Sequence, residues 1–210
     1  MKTFSCFAPQ MHESEKDTLR ARFTRLRLEN PGSSRAALSI EAARHAAALP
    51  EIAGARGVHI YLPMKAKGEL DTAPLIELLL AMKKTVMVPV VKGSDMVSAI
   101  LEASVELQPS PLGNLQPRHL VPADESRLDA VLLPLVAVDR CGRRLGFGKG
   151  YYDRFLSRLS REGFRPWRIG YAYSFQMTDC IPSDPWDQNL DILVHERGVV
   201  RFFLETDLDS

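Results

Sequence analysis

The chain has 210 residues, 45% of them hydrophobic, with 27 basic and 26 acidic side chains and a net charge of +1. That length and apolar content fit one domain with a sizeable core, read here as spanning residues 1–210. The charge balance leaves no global field to draw in nucleic acid or an anionic membrane, so any basic character is local. The opening MKTFSCFAPQ is too short and too broken by Ser5 and Pro9 for a signal-peptide apolar region. No apolar run approaches the roughly 20 residues that a spanning helix needs. Cys6, Cys141 and Cys180 are odd in number, widely separated and in no CxxC spacing, and the histidines form neither an i, i+4 pair nor an HExxH motif. Neither a disulfide framework nor a zinc site is expected, and the chain reads as cytoplasmic.

In chain order, residues 1–12 read as a mobile extension. EKDTLRARFTRLRLEN then reads as a helix with Leu19, Phe23, Leu26 and Leu28 near one face. Pro31 and Gly32 break it, and an Ala-rich helix, RAALSIEAARHAAAL, runs up to Pro50. VHIYLPM (58–64) and TVMVPVV (85–91) read as strands. Between them DTAPLIELLLAMKK reads as a helix with Asp71 or Thr72 as N-cap and Lys83 and Lys84 at its C-terminal dipole. DAVLLPLVAVD (129–139) is apolar almost throughout, as a strand buried on both faces would be. GYYDRFLSRLSREG reads as a helix with the stripe Tyr152, Phe155, Leu156 and Leu159 and with Gly163 closing it. WRIGYAYS and DILVHE are further strands, and residues 93–128, punctuated by prolines, read as a loop-rich connection. Alternating strands and helices predict an α/β layered domain with a mainly parallel sheet and helices on both faces.

RLGFGKGYYD (144–153) follows the third strand and opens a helix. Strand, glycine-rich turn and helix start together form an anion site, because free backbone N–H groups and the positive end of the helix dipole converge there. Lys149, with Arg143 and Arg144 before it, adds the charge a polyphosphate needs. The stretch is neither a Walker A loop, which needs GxxxxGK[ST], nor a dinucleotide fingerprint, since its spacing is GxGxG. Two readings stay open on residue chemistry alone: a phosphate cradle, or a tight turn with solvated basic side chains. Asp153 likewise suits the helix dipole or a hard cation beside phosphates.

LLPLVAVDRCGRRLGFGKGYYDRFL resembles the signature of the 5-formyltetrahydrofolate cyclo-ligase family, P-x-x-A-x-D-x-x-G-x-R-L-G-x-G-x-G-Y-Y-D-R. KDTLR, GELDT, GYAYSFQ and IPSDPWDQNLD resemble other family elements in the right order, so the likeness covers about residues 16–196. It implies a Rossmann-like fold and an enzyme that uses ATP and Mg2+ to convert 5-formyltetrahydrofolate, with or without a polyglutamate tail, into 5,10-methenyltetrahydrofolate, ADP and phosphate. It further implies ATP contacts from Lys16, Arg20, Arg144, Gly146, Gly148, Lys149, Gly150 and Tyr151, with Lys149 and Arg144 acting on the transferring phosphoryl group. Glu69, Phe147 and Tyr152 would meet the folate, and Asp153 and Asp187 the magnesium ion. Asp139 and Asp191 also match family aspartates, and a turn role is expected for Asp139 in DRCG.

Four positions depart from the family pattern: a two-residue lengthening before Gly68, Gln116 for a glutamate, Trp186 for a common histidine, and Phe147 at a variable place in the loop. A second expectation is a non-catalytic relative that binds folate or nucleotide. The presence of Lys149, Asp153 and Asp187 argues against it. A nucleic-acid module would rest on Arg20, Arg22, Arg25 and Arg27 alone; helical spacing scatters them and no aromatic platform accompanies them. No obligate protein partner is implied.

Overall fold

The computed structural model describes residues 13–29, 32–102, 105–110 and 113–202; the extension read over residues 1–12 lies outside them. The chain opens with helices α1 (Glu13–Glu29), α2 (Gly32–Ala47) and the single turn α3 (Pro50–Ala53). Phe23 is buried and Leu19 and Leu26 pack beside it, but Leu28 is 51% exposed. Leu28 lies two residues beyond Leu26, about 200° round the helix, so it cannot share the stripe.

Strand β1 (Gly57–Ile60), helix α4 (Ala73–Ala81) and strand β2 (Thr85–Lys92) form the expected βαβ unit, with Val58 paired to Val86 in parallel. β1 is shorter than the sequence run, because Pro63 offers no N–H to a ladder. Thr72 occupies the N-cap position of α4, yet its hydroxyl donates to the Tyr61 carbonyl at 2.9 Å and Asp71 accepts from the Ala73 N–H instead. Lys83 lies past the helix end at φ 58°.

The region read as loop contains β3 (Asp95–Ile100), β4 (Leu107–Pro109) and β5 (Leu115–Pro117). β3 folds back on β2 through a two-residue turn at Gly93 and Ser94, pairing Lys92 with Asp95. The apolar run 129–139 is two strands, β6 (Leu128–Leu133) and β7 (Ala137–Asp139), in different sheets. Pro134 ends the first, and the buried Gln176 amide donates to both the Leu135 and Val136 carbonyls at 2.9 Å, which holds the chain out of the main ladder. The remaining elements are β8 (Arg144–Leu145), α5 (Tyr151–Arg161), β9 (Trp167–Tyr171), β10 (Met177–Thr178), β11 (Ile192–His195) and β12 (Gly198–Arg201).

The main sheet has the order β12-β11-β9-β6-β1-β2-β3. Its inner strands run parallel, and β12 and β3 close the two edges antiparallel. The period-2 alternation of β6 divides the core: Ala130 and Leu132 face α2 and α4, while Val131 and Leu133 face Phe155, Leu156 and Leu159 of α5. The mainly parallel α/β sheet with helices on both faces is therefore as expected. A second small sheet, β10-β7-β8, stands off it and buries Phe23 of α1 against Val136, Ala137 and Leu145. Cys180 is free. Among the described residues, no helix is long and apolar enough to cross a membrane.

Asp139 is fully buried and pins the β7–β8 turn: Oδ1 accepts from the N–H groups of Cys141 (2.9 Å) and Arg143 (3.0 Å), and Oδ2 from that of Ile181 (3.0 Å). Asp139→Ala would strand three backbone donors, that of Ile181 fully buried and those of Cys141 and Arg143 partly so, and should lower unfolding free energy in urea by about 3 kcal/mol. A loss below about 1 kcal/mol would contradict that role.

Candidate active site

The turn between β8 and α5 carries Gly148 at φ 82° and Gly150 at φ 64°, a left-handed backbone that only glycine adopts without strain. A Cβ on Gly148 would lie 3.3 Å from Nη2 of Arg20, and one on Gly150 2.8 Å from Nη1 of Arg154. The turn is held from both sides. From α1, Arg20 Nε donates to the Gly146 carbonyl at 3.1 Å. From α5, Arg154 donates to the carbonyls of Lys149 (3.1 Å) and Ser94 (2.8 Å) and covers the Tyr151 ring. Gly150 caps α5 without a side chain, so the first-turn N–H groups remain available to a ligand anion. Lys149 is exposed at the crest.

Beside this turn three carboxylates meet two cations. Arg144 Nη2 donates to Asp153 Oδ1 at 2.6 Å, and Lys16 Nζ reaches Asp184 Oδ2 at 2.6 Å and Asp187 Oδ2 at 3.5 Å. Burial pulls the Lys16 ammonium down, but Asp184 and Asp187 outweigh it and hold the group above its ordinary value. The Gln188 N–H donates to Asp153 Oδ1 and the Asp184 N–H to Asp187 Oδ2, which draws the segment 184–188 onto α5. Each carboxylate thus commits one oxygen. Among the described residues, Asp153 Oδ2 and Asp187 Oδ1 accept no hydrogen bond. No cluster of three or more His, Cys, Asp or Glu among those residues forms a closed metal cage. A magnesium ion needs none, since it takes one or two carboxylates plus phosphate and water oxygens. The residues present fit that donor set.

The other wall is apolar with buried polar atoms set into it. Glu69 is 8% exposed; its Oε2 accepts from the Met64 N–H at 2.6 Å and its Oε1 is buried without a partner. Burial pushes this carboxyl up to about 7, against the opposing pull of the Met64 N–H, Arg27 and Lys67. The Tyr152 hydroxyl in this wall, and that of Tyr173 outside the cleft lining, are likewise buried and unpartnered, and burial raises both above the ordinary phenol value. The Phe147 ring lies beneath the Arg27 guanidinium, 5.3 Å from its centroid. Tyr152 also sets its ring edge-on to buried His59, so it serves packing as well as the wall.

Both walls belong to one cleft of about 1490 Å³. Every residue singled out above for ATP, folate or magnesium lines it, including Lys16 and Arg20, which the sequence alone would leave on a solvated helix face. Gln116 and Trp186 line it too. Asp139 stays in its turn, and Asp191 makes a bidentate pair with Arg168. Sequence reasoning passed over Asp184, which pairs with Lys16 more closely than Asp187 does; its signal was the acid-rich SDPWDQNLD loop. It also passed over Arg27 and Tyr173, whose burial no local pattern announces.

Comparison with known proteins agrees with this geometry. Residues 12–196 match the family described as the 5-formyltetrahydrofolate cyclo-ligase family. A 5-formyltetrahydrofolate cyclo-ligase of Escherichia coli is 34% identical over 161 residues, covering 73% of this chain and 85% of that protein. One from Mycoplasma pneumoniae is 47% identical over 74 residues, covering 35% of this chain and 43% of its own. A solved structure of Aquifex aeolicus 5,10-methenyltetrahydrofolate synthetase superimposes with a TM-score of 0.79 at 32% identity, covering 93% of this chain and 96% of that one.

The Arg144 side chain is 6% exposed and its Asp153 partner 21%. Arg144→Met leaves a carboxylate, and Asp153→Asn a more deeply buried guanidinium, without its counter-charge, so each should cost about 3 kcal/mol in thermal unfolding. Losses below about 1 kcal/mol in both would show that the pair does not anchor α5.

Proposed function

This chain belongs to the 5-formyltetrahydrofolate cyclo-ligase family and is an enzyme of that activity; we propose that it couples ATP cleavage, with Mg2+, to closure of 5-formyltetrahydrofolate into 5,10-methenyltetrahydrofolate. The observation that carries this reading is one cleft with an anion-cradling glycine turn on one wall and a buried carboxylate among aromatic rings on the other.

The formyl group is amide-like and its oxygen a poor leaving group. In the proposed reaction that oxygen attacks the γ-phosphorus of ATP, the bond to ADP breaks, and the oxygen leaves later as phosphate. N10 of the folate supplies the electron pair that closes the ring. The chain's task is to align the reactants and to neutralise phosphoryl charge. Lys16 and Arg20 reach the phosphates from α1, and the turn from Gly146 to Tyr151 offers N–H groups. Lys149 stabilises the transferring group and Arg144 orients it while holding Asp153. A bound magnesium ion, held by Asp153 and Asp187, would offset charge between the phosphates. On the other wall Phe147 and Tyr152 flank the flat pterin and Glu69 accepts its N–H groups. The same reading takes the chain as a single domain acting in the cytoplasm on a small molecule, with no nucleic acid, membrane or obligate protein partner.

The test is direct absorbance of the methenyl product with protein, 5-formyltetrahydrofolate and Mg2+, ATP being added last. Product should form only when ATP and Mg2+ are both present. Binding of both substrates without product would favour the non-catalytic alternative. Lys149→Ala should lower kcat by about 10²-fold with KM for the folate changed less than about twofold. Equal losses in both would point to a collapsed turn.

A further inference from the structure

Arg27 sits near the end of α1 and is 1% exposed. Its Nε and Nη2 are sealed from solvent without a partner, and it forms no ion pair among the described residues. A desolvated cation whose contact among the described residues is the face of Phe147 is costly, and an apolar side chain of similar size would pack on that ring as well. The charge therefore needs another reason. α1 passes beside Glu69 here, since a Cβ on the adjoining Gly68 would lie 3.1 Å from the Arg27 carbonyl oxygen. The Glu69 carboxylate, whose Oε1 is also buried and unpartnered, acts on the guanidinium through the interior.

Four groups face Glu69: Arg27 from α1, Lys67 from the turn at Lys65–Lys67, Tyr61 beyond β1 and Tyr152 from α5. Both tyrosines are neutral, with burial raising their hydroxyls further. Lys67 is solvent-exposed, so water and salt screen it. Arg27 is the cation that acts through the low-dielectric interior, and a guanidinium keeps its proton there.

Building on the proposed folate contact of Glu69, we propose that Arg27 is a positioning residue: its charge, held behind Phe147, keeps Glu69 a carboxylate so that Oε1 accepts hydrogen bonds from the substrate ring. Arg27 touches neither substrate. It sets the pH range over which the folate wall is competent.

The test is kcat and KM for 5-formyltetrahydrofolate at saturating ATP from about pH 6 to 9. In the unaltered protein KM should fall as pH rises through about 7. Arg27→Met should move that midpoint up by about one pH unit, raising KM at neutral pH about fivefold while KM at high pH and kcat stay near their original values. Arg27→Lys should restore the midpoint. Added to Glu69→Gln, Arg27→Met should have no further effect on KM. An unmoved midpoint in Arg27→Met, or the same KM change on top of Glu69→Gln, would overturn the proposal.

A second measurement reads stability. At about pH 8 Glu69 is ionised against its burial, so Glu69→Gln should raise Tm, and should raise it more in the Arg27→Met background, where no buried cation offsets the charge. Equal rises in the two backgrounds would overturn the coupling. Absence of turnover at every pH would overturn the folate reading, while the Tm comparison would still decide whether Arg27 and Glu69 are coupled.

Discussion

The ion pair between Arg144 and Asp153 fixes the geometry on which the site depends. Arg144 opens β8 of the small β7–β8 hairpin and Asp153 lies in the first turn of α5, so the 2.6 Å contact closes the glycine turn between them into a loop of set size. Gly148 and Gly150 can take left-handed backbone only because the ends are held; otherwise the added conformational entropy of glycine would leave the turn undefined. The Gln188 N–H shares the same Asp153 oxygen, and through the neighbouring Asp187 and Asp184 the network extends to Lys16 on α1. One carboxylate thus ties a hairpin, a helix and the 184–188 segment around the glycine-turn side of the cleft.

The opposite wall follows a different logic. It concentrates polar atoms that the protein itself does not satisfy: Glu69 Oε1, the Tyr152 and Tyr173 hydroxyls, and two guanidinium nitrogens of Arg27. Orphaned buried polar atoms are rare because each costs about 1–3 kcal/mol. Of these, Glu69 and Tyr152 line the cleft, and Arg27 and Tyr173 lie outside its lining. The hairpin and α5 supply rigidity to one half of the site, and the other half presents unmet hydrogen-bonding capacity at Glu69 and Tyr152.

Periodicity made the main elements legible. The βαβ unit, α5 with its buried stripe and the parallel strand β9 all follow from apolar spacing that tertiary packing reinforces. Two strand readings in particular failed for physical reasons. The run 129–139 is uniformly apolar, but Pro134 and the Gln176 amide split it, and the amide comes from over forty positions away. β3 hid in a proline-rich stretch although Gly93 and Ser94 form a short hairpin turn between alternating strands. The loop residues of the site were legible because the glycine pattern is local. Arg27 was not, since a helical arginine looks the same whether it faces water or Glu69. Asp139 and Asp191 show the converse: acids within a family-like pattern whose bonds here are structural.

The most direct measurement follows the formyl oxygen. 5-Formyltetrahydrofolate labelled with oxygen-18 at the formyl group is turned over with unlabelled ATP, and the released phosphate is analysed by mass. If the cleft brings that oxygen to the phosphoryl group, the label appears in the phosphate. Label released into water, with unlabelled phosphate, would contradict phosphorylation of the formyl oxygen and the division of labour between the two walls.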